Sequence, residues 1–263
     1  METINWLQDE LKAIQIWENE QKDLWFWEKI GRYPFVLLDR ITPTFVKEKL
    51  GQAIDELSGF IESGGRYLVN EQDVLKHFRE HDVDTIRDME QLPIRTMDAT
   101  AETIIESHKK MATVQGATTG IGGIFTLLID IPLILGISLK VLQELAIVYG
   151  YHPHEKKERI FIVKCLQFSS SDIVGKKAII EDLARMGEED APNQTMSQIQ
   201  GWREVLITFR DNFGWKKLFQ IIPIAGMIFG AYFNRKSIED VAEVGKMMYR
   251  KRRIIERINA AKE

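Results

Sequence analysis

The chain has 263 residues, a formal net charge of −4 and 28% charged residues, so it can bury a sizeable core and has no overall positive field to draw it to nucleic acid. Its single cysteine, Cys165, excludes an intramolecular disulfide and fits a reducing compartment. The opening METINWLQDELK lacks a basic stretch followed by an apolar run, so no signal peptide is expected. The expected location is the cytoplasm, or the cytoplasmic face of a membrane.

Residues 3–30 form the first helix expected. Ile4, Leu7, Leu11, Ile14 and Trp17 step at helical spacing onto one face, and Glu10, Lys12, Glu18, Glu20 and Lys22 take the other. The cluster Trp25-Phe26-Trp27, followed by Lys29, Arg32 and Tyr33, also reads as an interfacial anchor, because indole rings favour the headgroup level. A helix start follows at Thr42-Pro43-Thr44, and Ile54, Leu57, Ile61 and Leu68 continue an apolar stripe. A short helix is expected over residues 71–80, then a polar turn, and Leu92-Pro93 breaks the next piece.

Residues 111–151 are the centre of the chain. Nineteen uncharged residues (111–129) are followed by Asp130, then nine more uncharged residues before Lys140. Gly116, Gly120, Gly122 and Gly123 give the first half a smooth face on which another backbone can lie close, at the propensity cost of glycine. One continuous helix here would be longer than a bilayer needs, and Asp130 at membrane depth would cost ~2.5–3.5 kcal/mol. Two helices meeting at residues 128–132 are the simpler expectation. Asp130 then caps the second helix through the Leu133 N–H, since Pro132 has no N–H to give, and the two arms fold back as a hairpin.

Farther on, a helix is expected over residues 155–168, a linker over 187–193 and a helix over 196–212. A second run of seventeen uncharged residues covers 218–234, and a helix over 237–262 ends in a basic run at Arg250, Lys251, Arg252 and Arg253. That run fits either attraction to anionic lipid or a solvated helix end with its cations near the negative pole of the helix dipole. The hairpin fits either enclosure by the other helices or a dip into lipid. No stretch longer than about five residues alternates with period two. The fold class expected is all-α, a multi-helix bundle built around a central apolar, glycine-rich helical hairpin.

Chemistry-bearing patterns are few. His77-Phe78-Arg79-Glu80-His81 fits the inverted zinc-protease spacing, which on an α-helix puts both imidazoles on one face with the carboxylate as general base. His152-Pro153-His154 with Glu155 and Glu158 is a weaker metal candidate. The glycine run is no phosphate-binding loop, because it lacks the Gly-Lys-Ser/Thr ending and no strand precedes it. No cofactor is expected, and Cys165 lies on an apolar face with no basic activator.

Two blocks resemble the EcsC family. The first is Gly116-Ala117-Thr118-Thr119-Gly120 with Gly122-Gly123, then Asp130-Ile131-Pro132, Gln143-Glu144 and Tyr149-Gly150-Tyr151. The second is Ile222-Pro223-Ile224-Ala225-Gly226 with Gly230, Asn234 and Tyr249-Arg250-Lys251-Arg252, and the resemblance covers roughly residues 90–255. The family is named for the third product of a bacterial operon that also encodes an ABC-transporter ATPase and its membrane subunit. The resemblance implies a bacterial, cytoplasmic protein, peripheral to the membrane and linked to transporter or secretion physiology, and it carries over no catalytic residue. It suggests an amphipathic region over residues 1–90 and a family-like domain over 91–263, together one compact unit. The reading preferred is a non-enzymatic accessory protein whose partners are another protein, a membrane transporter among the candidates, and an anionic membrane surface. The rivals are a metal-dependent hydrolase using His77, Glu80 and His81, and a holder of a small apolar ligand.

Overall fold

The computed structural model describes residues 2–21, 69–120, 127–170, 179 and 223–262. Among these, every regular element is helical: α1 (Ile4–Glu20), α2 (Glu71–Leu75), two 3₁₀ segments (Lys76–His81 and Ile86–Gln91), α3 (Ile94–Gly120), α4 (Leu127–Val148), α5 (Lys156–Ser170) and α6 (Pro223–Ala260). The all-α expectation holds. The expected elements and clusters at residues 22–68 and 180–222, including Trp25-Phe26-Trp27, lie outside the described residues.

Helix α1 starts where Thr3 accepts a hydrogen bond from the Trp6 N–H, and it buries Leu7 and Ile14. These pack with Ile94, Ile254 and Ile258, so α1 lies across the start of α3 and the end of α6. Glu2 accepts from the Ile94 N–H at 2.5 Å and pairs with Arg257. One carboxylate thus caps α3 and holds the end of α6.

Helix α4 is the middle of the bundle. Residues Ile134, Leu135, Ile137, Leu139, Val141, Leu142 and Leu145 to Val148 are all buried, whichever way they point, as expected of a helix apolar all round. Phe161, Ile162, Cys165, Leu166 and Phe168 of α5 close one side of this core. Helix α6 is described from Pro223 to Ala260. It runs 38 residues without a break, fusing the second uncharged run to the basic helix that the sequence separates.

Three local expectations are corrected. The two helices expected to meet at residues 128–132 do not do so there, because α4 is continuous from Leu127 to Val148. Asp130 and Pro132 therefore lie within α4, and Asp130 does not occupy the cap of a helix starting at Leu133. The expected helix over residues 71–80 is α-helical only to Leu75 and continues as a 3₁₀ segment, closed by Asp82 in the left-handed region at φ 55°.

Candidate functional site

Helices α3 and α6 run antiparallel. Asp98 meets Arg250 at 2.9 Å, Glu102 meets Lys246, and Lys109 meets Glu239 at 2.8 Å; Gly116 then meets Gly230. A β-carbon on Gly116 would stand 2.5 Å from the Gly230 carbonyl carbon. Gly116 does admit a close backbone, and that backbone belongs to α6.

The basic run of α6 is turned inward, as neither lipid attraction nor a solvated end describes. Arg250 donates to Asp98 and to Glu10 of α1, and Lys251 pairs at 2.7 Å with Glu18, which is buried. Arg252 makes two hydrogen bonds, 2.9 and 2.8 Å, to the buried carboxylate of Glu158. Its guanidinium also lies over the rings of Tyr151, at 4.0 Å, and Phe161, at 4.5 Å. Burial works against that charge, but the hydrogen bonds and charge of Glu158 outweigh it and hold Arg252 above the ordinary arginine value. The partners lie on α1, α3 and α5, so the run ties three helices to a fourth.

Arg253 completes the end of α4. That helix closes with the Tyr151 N–H donating to Ala146 and the Gly150 N–H to Ile147, the two-bond pattern of a left-handed helix stop. Gly150 supplies the positive φ of 83°. Arg253, buried, donates from Nε at 2.9 Å and Nη2 at 2.6 Å to the Tyr149 carbonyl, at the negative pole of the helix. Tyr149 points back into the bundle, where its hydroxyl donates to Asp98 at 2.7 Å. Burial first, and then Asp98, push that hydroxyl's pKa well above the ordinary tyrosine value.

Glu144 pairs with His108 across α3 and α4 at 2.6 Å, with Lys140 at 3.9 Å from the same carboxylate. Asn234 is fully buried. Pro223 and Gly226 lie in the first turns of α6, and Gly120 is the last residue of α3. Gly122 and Gly123 lie outside the described residues, as do the side chains of Asp130 and Pro132. Cys165 is wholly buried, and burial pushes its thiol pKa far up, so it is inert in the folded protein.

The rival zinc pattern is not assembled. His77, Glu80 and His81 are exposed on a 3₁₀ segment, where residues four apart stand roughly 120° apart around the axis and share no face. The His77 ring lies 3.2 Å from the Val74 carbonyl. Among the described residues, no group of three or more His, Cys, Asp or Glu side chains is placed to hold a metal ion.

The opposite end of the α3–α6 pair has another character. Met111 and Val114 on α3, Leu133 on α4, and Met227, Ile228 and Tyr232 on α6 are exposed, Val114 at 65%, Ile228 at 67% and Tyr232 at 60%. The sequence marks their runs as apolar and leaves both enclosure and lipid contact open for the runs as wholes, without pointing to these residues. The signal that marks them lies at the borders of the runs. Lys109 and Lys110 precede one, Lys140 follows the next, and Arg235 and Lys236 follow the last. Acids stand about one turn farther from the uncharged end: Glu106, Glu144, Glu239 and Asp240. No helix among the described residues is long and apolar enough to cross a membrane.

Comparison with known proteins finds the EcsC protein family matched over residues 8–254, a span that takes in most of α1 as well as the blocks singled out in the sequence. The chain is 50% identical over 256 residues to a Bacillus subtilis (strain 168) protein named "Uncharacterized protein YdbA", covering 96% of this chain and 94% of that one. It is 29% identical over 163 residues to "Protein EcsC" of the same organism, covering 62% of this chain and 66% of that one. No solved structure matches.

Proposed function

The chain belongs to the EcsC protein family, and from that premise we propose that it is a non-enzymatic accessory protein, peripheral to the cytoplasmic membrane, that docks on the membrane or on a transporter-like partner within it. The carrying observation is the uncharged end of α3 and α6, where Met111, Val114, Met227, Ile228 and Tyr232 are exposed together. The groups best able to react support the same reading, because each holds helices together. Tyr149 bonds Asp98, His108 bonds Glu144, and Glu158 bonds Arg252. The inward pairing of Arg250, Lys251, Arg252 and Arg253 moves the docking surface away from the basic end. The link to transport or secretion rests on the family alone.

Fractionation of cells expressing the full chain tests this. The wild-type protein sediments with membranes or crosslinks to a membrane protein, and Ile228→Asp releases it while keeping its melting temperature. Protein that stays entirely in the supernatant and crosslinks to nothing would end the proposal.

A further inference from the structure

We infer that the surface beneath α1 takes an acidic amphipathic helix of a partner protein in place of α1, so that α1 is the chain's own occupant of a helix-binding groove. The groove lies toward the opposite end of α6 from Ile228, and the inference goes beyond the docking reading above.

The chemistry of the groove is the first observation. Its floor is apolar: Leu7 and Ile14 of α1 sink among Ile94, Ile254 and Ile258, and these five form a cluster of their own among the described residues. Three cations of α6 border it, and each meets one carboxylate. Arg257 pairs with Glu2, Arg250 with Glu10 at 2.6 Å, and Lys251 with Glu18 at 2.7 Å. The occupant is thereby specified as a helix with apolar anchors seven residues apart, at Leu7 and Ile14, and with acids interleaved at Glu10 and Glu18. Glu18 is 6% exposed, so an occupant has to bring a carboxylate to Lys251 and cover it from water. A hydrated headgroup layer offers phosphates at no fixed spacing, whereas these cations are matched one by one to acids at fixed positions on a helix.

Pre-organisation is the second observation. Arg250 gives different nitrogens to its two partners: Nη2 donates to Glu10, and Nε donates to Asp98 of α3 at 2.9 and 3.1 Å. Arg257 divides its guanidinium in the same way. Its Nη1 meets Glu2, while Nη2 donates to the carbonyl of Glu90 at 3.1 Å and to that of Leu92. Both cations stay in place when α1 lifts, and only the nitrogens that face the groove come free. Donors already held in position cost an incoming helix little ordering.

The third observation is the polarity of the joint. Around Leu7 and Ile14 stand the three ion pairs, the Trp17 indole N–H donating to Glu243 at 2.8 Å, and the Arg95 guanidinium 5.2 Å from the centre of the Trp6 ring. A joint of this composition within a chain resembles the interfaces that form and part between separate proteins.

A fluorescently labelled peptide of residues 2–21, added to the full chain and followed by anisotropy, tests the inference. A full chain carrying Leu7→Asp and Ile14→Asp in its own α1 is expected to bind the peptide about tenfold more tightly than wild type or better, since the attached helix no longer competes. Glu18→Lys in the peptide should weaken binding about tenfold or more, and Lys251→Glu in the chain should restore it. Circular dichroism and melting follow the fold of the double variant. If that variant is unfolded, α1 is an integral part of the bundle and the inference falls. It falls as well if the folded variant binds the peptide no better than wild type, or if the Glu18→Lys peptide binds like the native one. A folded variant that ignores the peptide but floats with phosphatidylglycerol vesicles would make the uncovered basic run a lipid surface and overturn the helix-binding groove.

Discussion

Gly116 and Gly230 meet backbone to backbone, with no room for a methyl group between α3 and α6. Ala at position 116 would have to push apart two helices that ion pairs hold along the rest of their length, and overpacking of this kind costs ~1–3 kcal/mol. Gly136, on α4, is the control: nothing lies within 4 Å of its would-be β-carbon. Gly136→Ala is expected to stabilise by ~0.4–1 kcal/mol. Urea unfolding of both variants checks the contrast, and equal effects would contradict the close approach.

Gly150 carries two constraints at once. Its φ of 83° disfavours any side chain, at ~1–3 kcal/mol, and a β-carbon would stand 2.5 Å from Nη2 of Arg253. Gly150→Ala therefore loses more than strain alone, because the guanidinium must leave the Tyr149 carbonyl. Arg253→Met relieves the collision, so the double variant should be more stable than the sum of the two single losses. Strict additivity would show that the two residues do not interact.

The Arg252–Glu158 pair is buried, and removing one member leaves the other charge uncompensated. Glu158→Gln is expected to cost ~3–5 kcal/mol in thermal or urea unfolding. Replacing both residues by apolar side chains of similar size should cost far less, since a buried pair contributes little against a packed apolar alternative. A single variant as stable as wild type would contradict the desolvated geometry.

Lys109 sets the pH limits of the α3–α6 ladder. Its hydrogen bond, with that of Lys236, holds Glu239 below the usual carboxylate value. This contribution is present above the unfolded glutamate pKa of about 4.3 and is lost as pH falls through the lower folded value. Glu106 and then Glu239 in turn hold Lys109 above the usual lysine value. That contribution is present below about 10.4 and is lost as pH rises through the higher folded value. Lys109→Met should flatten both limbs of a plot of urea midpoint against pH. An unchanged acid limb would place the dependence elsewhere.

Much of the helical frame was legible in the sequence, because 3.6-residue periodicity and proline or glycine breaks are local. The close-approach role of Gly116 was legible too, but its partner was not, since Gly230 is 114 residues away in the chain and the nearer arm of the apolar run looked sufficient. The basic run misled for the same reason. Arg250 reaches Glu10 across 240 positions and Arg252 reaches Glu158 across 94, and no spacing rule joins them. The zinc pattern failed on a finer point, because the spelling of His77 to His81 does not reveal that the helix tightens at Lys76. The exposed tip stayed hidden because a run of uncharged residues reads alike whether helices or solvent surround it.

Helix α6 is unbroken over 38 residues, and it meets α3 backbone to backbone at Gly230. The thirty residues from there to Ala260 make an arm of about 45 Å. A 10° tilt about that fulcrum would sweep the far end by about 8 Å, across the seats of Glu10, Glu18 and Glu158. Whatever shifts α6 at Gly230 thus gains leverage over α1.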